Sequence, residues 1–199
     1  MSVTLIAGLG NPGREYAGTR HNLGFTLVEA LAAAEGLKWK SDSRFEAETA
    51  RWDVRPGVTR LLVKPQTFMN DSGRALRALL DFHKAPVDAL VVAYDDLTID
   101  TGRVKVSVSG SAGGHNGVAS LLEHLGNGFI RYRLGIGGPR PAEMDIKDYV
   151  LGKFSNEQTT LIAQQLTTFV DGLRLLLNRG PAEAMNTLNR RDHHEPDQA

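Results

Sequence analysis

The sequence predicts a single-domain α/β fold: a mixed, mostly parallel twisted sheet covered by helices on both faces. Three observations lead there. Short β-branched runs alternate with helical patterns along the chain, as strands joined by crossover helices do. One segment, "RWDVRPGVTRLLV", reads instead as a hairpin turning at Pro56-Gly57, so part of the sheet is antiparallel. The 199 residues suffice for one well-buried domain and are short for two.

The elements follow in order. "VTLIAGL" is a strand, and "LGFTLVEALAAAEG" carries apolar residues at helical spacing. "FEAETARWDV" and "VTRLLVKPQ" supply the hairpin strands, and "GRALRALLDFHK" is helical. "ALVVAYDDL" is the most apolar strand, "GRVKVSVSG" alternates with period two, "GVASLLEHLG" is helical, and "FIRYRLGIGG" is a strand. From Ser155 a helical pattern runs to about Asn178, and a shorter helix starts at Pro181, a residue suited to the first helical position. There is no internal repeat or low-complexity linker. Residues 1–190 are expected to form the single domain, and the polar segment 191–199 a disordered tail.

Composition narrows the functional classes. Lysine plus arginine and aspartate plus glutamate number 23 each, so any nucleic-acid partner must be held by a local basic patch. The absence of cysteine excludes disulfides, thiolate catalysis and cysteine metal sites, and fits a reducing cytoplasm. No basic leader runs into an apolar stretch and no run approaches membrane-spanning length, so a cytoplasmic protein that does not engage a membrane is expected.

The segment "GLGNPG", Gly8 to Gly13, matches the G-x-G-x-x-G pattern of dinucleotide-binding folds. Its context does not. A working fingerprint starts a helix at the glycines, whereas here Pro12 and the insert "REYAGTRHN" delay the helical pattern to about Leu23. No ribose-binding acid ends a second strand about 20 residues on. Arg14-Glu15 stands where a P-loop requires Lys-Ser/Thr. The loop is better read as a sharp turn at a strand's carboxyl end, where ligands collect in open α/β sheets.

Four such positions carry polar residues. His21 and Asn22 precede the first helix, Asn70 the second, Asp95 and Asp96 end the most apolar strand, and His115 and Asn116 precede another helix. Each has a bland account: Asn22, Asn70 and Asn116 can cap helices and Asp96 can hold a turn. Their recurrence at one topological position favours a site. No G-x-S-x-G elbow and no H-E-x-x-H spacing occurs, so neither a serine triad nor a metal is expected, and no cofactor either. An imidazole whose tautomer a carboxylate fixes is a good base for water, and amide groups donate to a developing oxyanion. Together they suit metal-free hydrolysis of an activated acyl group such as an ester.

"GLGNPGREYAGTRHNLGF", "KPQTFMNDSG", "YDDL" and "GSAGGHNG" resemble the four signature stretches of bacterial-type peptidyl-tRNA hydrolases, in the family's order and spacing. The resemblance covers essentially the whole chain. It implies cleavage of the ester between a peptide and the 3′-terminal adenosine of tRNA, recycling tRNA from prematurely released peptidyl-tRNA. It implies His21 as the catalytic histidine and Asp95 as the aspartate that orients it. Asn70 lies near the oxyanion in the family, while Asn11 and Asn116 position peptide and water. Tyr16 and Met69 match cleft residues, though packing accounts for each equally well.

The tRNA side has its own pattern. Period-two alternation puts Val104, Val106 and Val108 on one strand face and Arg103, Lys105, Ser107 and Ser109 on the other. Arg131 and Arg133 likewise share a face, and if the faces adjoin they form the required basic patch. The alternative is two solvated faces. The resemblance implies that Lys105 and Arg133 clamp the tRNA 5′-phosphate, and that the protein is a monomer. Ser107 replaces a second lysine common in the family, Tyr94 and Gly138 replace frequent histidines, and "TIDTG" replaces a proline-containing turn. A non-catalytic RNA-binding relative of the same fold is the alternative function.

Overall fold

The computed structural model describes residues 2–139 and 143–190; the expected tail at 191–199 lies outside them. A seven-stranded sheet has the order β2-β3-β4-β1-β5-β7-β6. The strands are β1 (Ser2–Gly8), β2 (Lys40–Asp42), β3 (Ala47–Arg55), β4 (Val58–Pro65), β5 (Leu90–Asp100), β6 (Val104–Ser107) and β7 (Ile130–Gly137). The central neighbours β4, β1, β5 and β7 run parallel, and the antiparallel pairs lie at the two edges. The mixed, mostly parallel sheet is therefore as the sequence predicts, including the turn at Pro56-Gly57 between β3 and β4.

Among the described residues six α-helices accompany the sheet: α1 (Leu23–Ala34), α2 (Ser72–His83), α3 (Asn116–Leu125), α4 (Ile146–Leu151), α5 (Asn156–Arg179) and α6 (Pro181–Leu188). One core joins Ile6, Leu62 and Tyr132 to α1, α5 and α6; the other joins Leu5, Val63 and Val92 to α2 and α3. Alternate side chains of β1 thus feed opposite cores, as a sheet covered on both faces requires. Ser155 and Gln158 form a capping box that starts α5, and Pro181 opens α6.

Two sequence expectations change, and one helix is added. Asp95 and Asp96 do not end their strand, because β5 runs on to Asp100. Val108 does not continue the buried face of β6: pairing to β7 stops at Ser107, and Val108 is exposed. The chain leaves the sheet there toward Gly110, whose φ of 141° favours glycine. Helix α4 is not anticipated from the sequence, because six residues are too few to display a period.

The glycine-rich stretch is packed by the protein's own chain. A Cβ on Gly8 would lie 2.2 Å from the carbonyl oxygen of Gly24, and one on Gly24 would lie 2.4 Å from that of Ala93. The start of α1 therefore rests directly on the end of β1 and on the middle of β5. Gly10 meets the Phe25 ring in the same way. These glycines serve helix–strand contact and not a phosphate.

Candidate active site

The loops after β1 and β4, the second half of β5 (Asp95–Thr98), the segment that runs from β6 to α3, and α4 converge on one cleft. Asn11, His21, Met69, Asn70, Asp95 and Asn116 all line it, so six of the expected residues come together.

His21 sits in a 3-10 turn, Arg20–Asn22, just ahead of α1. Its Nδ1 lies 2.9 and 3.0 Å from the two carboxylate oxygens of Asp95. Asp95 is an acceptor only, so Nδ1 carries the proton and Nε2 keeps its lone pair. No described residue binds Nε2, which leaves it open to the cleft.

His115 approaches Asp95 from the other side, its Nε2 at 3.0 Å from Oδ1. Its Nδ1 accepts the Val118 backbone N–H at 3.3 Å, which makes His115 the N-cap of α3. A nitrogen that accepts there cannot carry the ring's proton, so Nε2 does, and it donates to Asp95. Asn116 is released from the capping role open to it in the sequence and lies exposed at the cleft.

Asp95 is almost wholly buried. Burial pushes its carboxyl up, but His115 and His21 outweigh that and hold it well below the ordinary carboxylate range. The facing atoms of His21, Asp95 and His115 lie within 4.8 Å of one another, a donor set of metal-binding type. In the arrangement described, His115 uses Nε2 as a proton donor to Asp95 while Nδ1 accepts from Val118.

Asn11 is fixed at three points. Its backbone N–H and carbonyl bond the side chain of Asn22 at 2.8 and 2.9 Å, and its Oδ1 accepts the Met69 N–H at 2.8 Å. The Oδ1 contact orients the amide, so its NH2 is the end left for the cleft. Asn22 stands at the N-cap of α1 but makes no side-chain cap bond; it holds Asn11 instead. Asn70 lies in the 3-10 turn Met69–Asp71, is exposed, and its amide bonds no described residue.

Tyr16 is not among the lining side chains; its ring stands edge-on to Phe68, with centroids 6.5 Å apart. Met69 lines the cleft while its sulfur packs where a Gly117 Cβ would sit, so it serves both wall and core. Three features escape the sequence reading. Phe68 is 57% exposed at the rim, His115 binds Asp95, and α4 supplies an apolar wall through Ile146, Val150 and Leu151. Asp145, whose side chain accepts the Lys147 N–H at the N-cap, is the local signal for α4.

The basic faces adjoin, though not as one patch. Lys105 is the direct cross-strand partner of Arg133, and Ser107 of Arg131. Arg131 is a correction: it is buried, and its guanidinium donates to the carbonyls of Gly110 and Ser111. It supports the loop before α3 and is not available to a phosphate. Arg133 donates Nε to Asp96 at 2.8 Å and Nη2 to Thr98 at 3.3 Å, leaving Nη1 unengaged among the described residues. Asp96 thus holds Arg133 as well as the turn at Thr98. Lys105 forms no ion pair among the described residues.

Comparison with known proteins gives a consistent result. The peptidyl-tRNA hydrolase family profile matches residues 5–196. Among its relatives, the peptidyl-tRNA hydrolase of Synechococcus elongatus is 43% identical over 97% of this chain and 95% of its own. That of an Anaeromyxobacter strain is 46% identical over 94% and 96%. The crystal structure of the Acinetobacter baumannii peptidyl-tRNA hydrolase superposes with a TM-score of 0.86 at 36% identity, covering 94% of each chain.

Proposed function

The chain belongs to the peptidyl-tRNA hydrolase family and hydrolyses peptidyl-tRNA; we propose that it does so with His21 as general base for water. The observation that carries this reading is the Asp95–His21 pair, which leaves a lone pair on Nε2 facing the cleft. Water bound to Nε2 attacks the ester carbonyl and gives its proton to the ring. The resulting imidazolium is stabilised by Asp95, already ionised because the two imidazoles hold its pKa down. The oxyanion that forms takes hydrogen bonds from the amide NH2 of Asn70, which no described residue occupies. Asn11 and Asn116 present NH2 groups that position the peptide and the water. As the tetrahedral intermediate collapses, the C–O bond to the 3′-oxygen breaks, and the imidazolium returns its proton to that oxygen. The products are a free peptide carboxylate and tRNA with an intact 3′-hydroxyl.

Recognition of tRNA is assigned to Lys105 and Arg133, cross-strand partners at the sheet edge; neither lines the cleft, but Arg133 bonds Asp96 and Thr98, which do. A clamp on the 5′-phosphate, close to the acceptor end, identifies tRNA without reading its sequence. Tyr16 supports Phe68 at the rim, and Met69 forms part of the cleft wall. Residues 1–190 form the hydrolytic unit, acting as a monomer in the cytoplasm. Among the described residues no helix is long and apolar enough to cross a membrane. A non-catalytic RNA-binding role has no observation in its favour, since His21, Asp95 and the three asparagines are all present.

Hydrolysis in water enriched in oxygen-18 tests the proposed attack. The label is expected in the released peptide's carboxylate. Label in the ribose hydroxyl would overturn attack at the carbonyl.

A further inference from the structure

The turn Arg20–Asn22 carries three buried polar side chains, and two have clear tasks: His21 bonds Asp95, and Asn22 holds Asn11. Arg20 points elsewhere. Its Nη1 donates to the Tyr149 carbonyl at 3.1 Å, and its Nη2 to Gln158 Oε1 at 2.8 Å. Its guanidinium stacks over the Tyr149 ring at 4.2 Å and near Phe154 at 5.4 Å. The backbone joins in: Arg20 N–H donates to Gly152 O at 3.0 Å, and Thr19 bridges to Lys153.

We propose that Arg20 is a positioning residue for hydrolysis, pinning the His21 turn to the end of α4 and the start of α5 so that base and apolar cleft wall keep one geometry. Tyr149 precedes Val150 and Leu151, both of which line the cleft. Gln158 belongs to the capping box of α5 and also accepts from Ser155 N–H. One guanidinium therefore spans the residue beside the base, the last turn of the wall helix and the first turn of the longest helix.

Stability is a poor account of this residue. Arg20 is 9% exposed, no carboxylate pairs with it among the described residues, and its Nε is buried without a partner. A buried cation so satisfied is costlier than an apolar side chain of similar size. What an apolar side chain would lack is the forked reach to two elements at fixed angles. Gly152 leaves room for it: a Cβ there would stand 3.2 Å from Nη1.

Arg60 provides a matched comparison. It too is buried, stacks on an aromatic ring (Trp52, 4.8 Å), and donates to a carbonyl and a side-chain amide of α5, at Leu177 and Asn178. It has no contact with the cleft. The inference rests on His21 being the base, so three variants are assayed with wild type on N-acetyl-aminoacyl-tRNA, well below their melting temperatures. Arg20→Lys is expected to lower kcat by about ten- to a hundredfold, the scale on which a small misplacement of a catalytic group acts, with KM within about twofold. The downfield imidazole proton signal of the His21 Nδ1–H···Asp95 bond should shift or broaden. Arg60→Lys should lower the melting temperature comparably, yet keep kcat and that signal. If Arg20→Lys does not fold, Gln158→Leu removes one prong and should lower kcat in the same sense. A kcat for Arg20→Lys, or for Gln158→Leu in its place, no lower than that of Arg60→Lys overturns the inference. His21→Ala separates the two failures: if it abolishes turnover while Arg20→Lys behaves like Arg60→Lys, only the role of Arg20 falls. If His21→Ala stays active, both assignments fall.

Discussion

Asn22 grips the main chain of Asn11 from both sides, its Oδ1 accepting the N–H at 2.8 Å and its Nδ2 donating to the carbonyl at 2.9 Å. The residue beside the base thus fixes a second cleft residue eleven positions earlier, and through the Asn11–Met69 bond it reaches the loop that carries Asn70. Asn22→Ala should destabilise the fold by about 1–3 kcal/mol, the usual consequence of leaving buried polar groups unpaired. It should also lower kcat/KM by about tenfold, because Asn11 loses its fixed position. Urea unfolding and steady-state kinetics measure the two effects. Lost stability with unchanged kcat/KM would take Asn11 out of the reaction.

Asn70 differs from Asn11 in having no partner among the described residues, and its amide serves charge that appears only in the transition state. Asn70→Ala should lower kcat on the order of 10² with little change in KM. A rise in KM alone would assign Asn70 to ground-state binding.

Lys105 and Arg133 are adjacent cross-strand partners, so their variants should not act independently. Lys105→Ala and Arg133→Ala should each raise KM, leave kcat nearly intact, and flatten the salt dependence of KM. Removing the 5′-phosphate from wild-type substrate should mimic the double variant. An unchanged salt slope would disprove the clamp.

Acid stability offers a separate check on Asp95. Its folded-state pKa lies below its ordinary value near 3.9, so its pairing contributes fully above about pH 4. That contribution is lost as pH falls through the lowered folded value. Wild type should therefore lose unfolding free energy more steeply below about pH 4 than Asp95→Asn does. Parallel curves would mean that the two histidines do not hold the carboxylate ionised.

Much of this was legible in the sequence, and what was not has physical reasons. The hairpin at Pro56-Gly57 follows from turn chemistry, and Asn11 and Asn70 follow β1 and β4, where a parallel sheet collects loops. The other positions do not share that topology: Asp95 and Asp96 lie within β5, and His115 and Asn116 follow the antiparallel strand β6. Asn22 was readable only as a cap, since position before a helix says nothing of a side chain reaching back across a loop. Arg131 was misread because alternation assigns a residue to a face without saying whether that face is covered; here the loop before α3 covers it. His115 was visible as a residue preceding a helix, but its bond to Asp95 depends on the folding of a Gly-rich loop. Arg20 gives no pattern at all, because its partners lie more than a hundred residues away.

The most direct test compares hydrolysis of N-acetyl-aminoacyl-tRNA and unblocked aminoacyl-tRNA by wild type and His21→Ala, with tRNA binding measured for both. Wild type should cleave the blocked substrate selectively. His21→Ala should bind it normally and turn it over about 10²–10⁴ times more slowly, the contribution of a positioned general base. Turnover by His21→Ala equal to that of wild type would contradict the account.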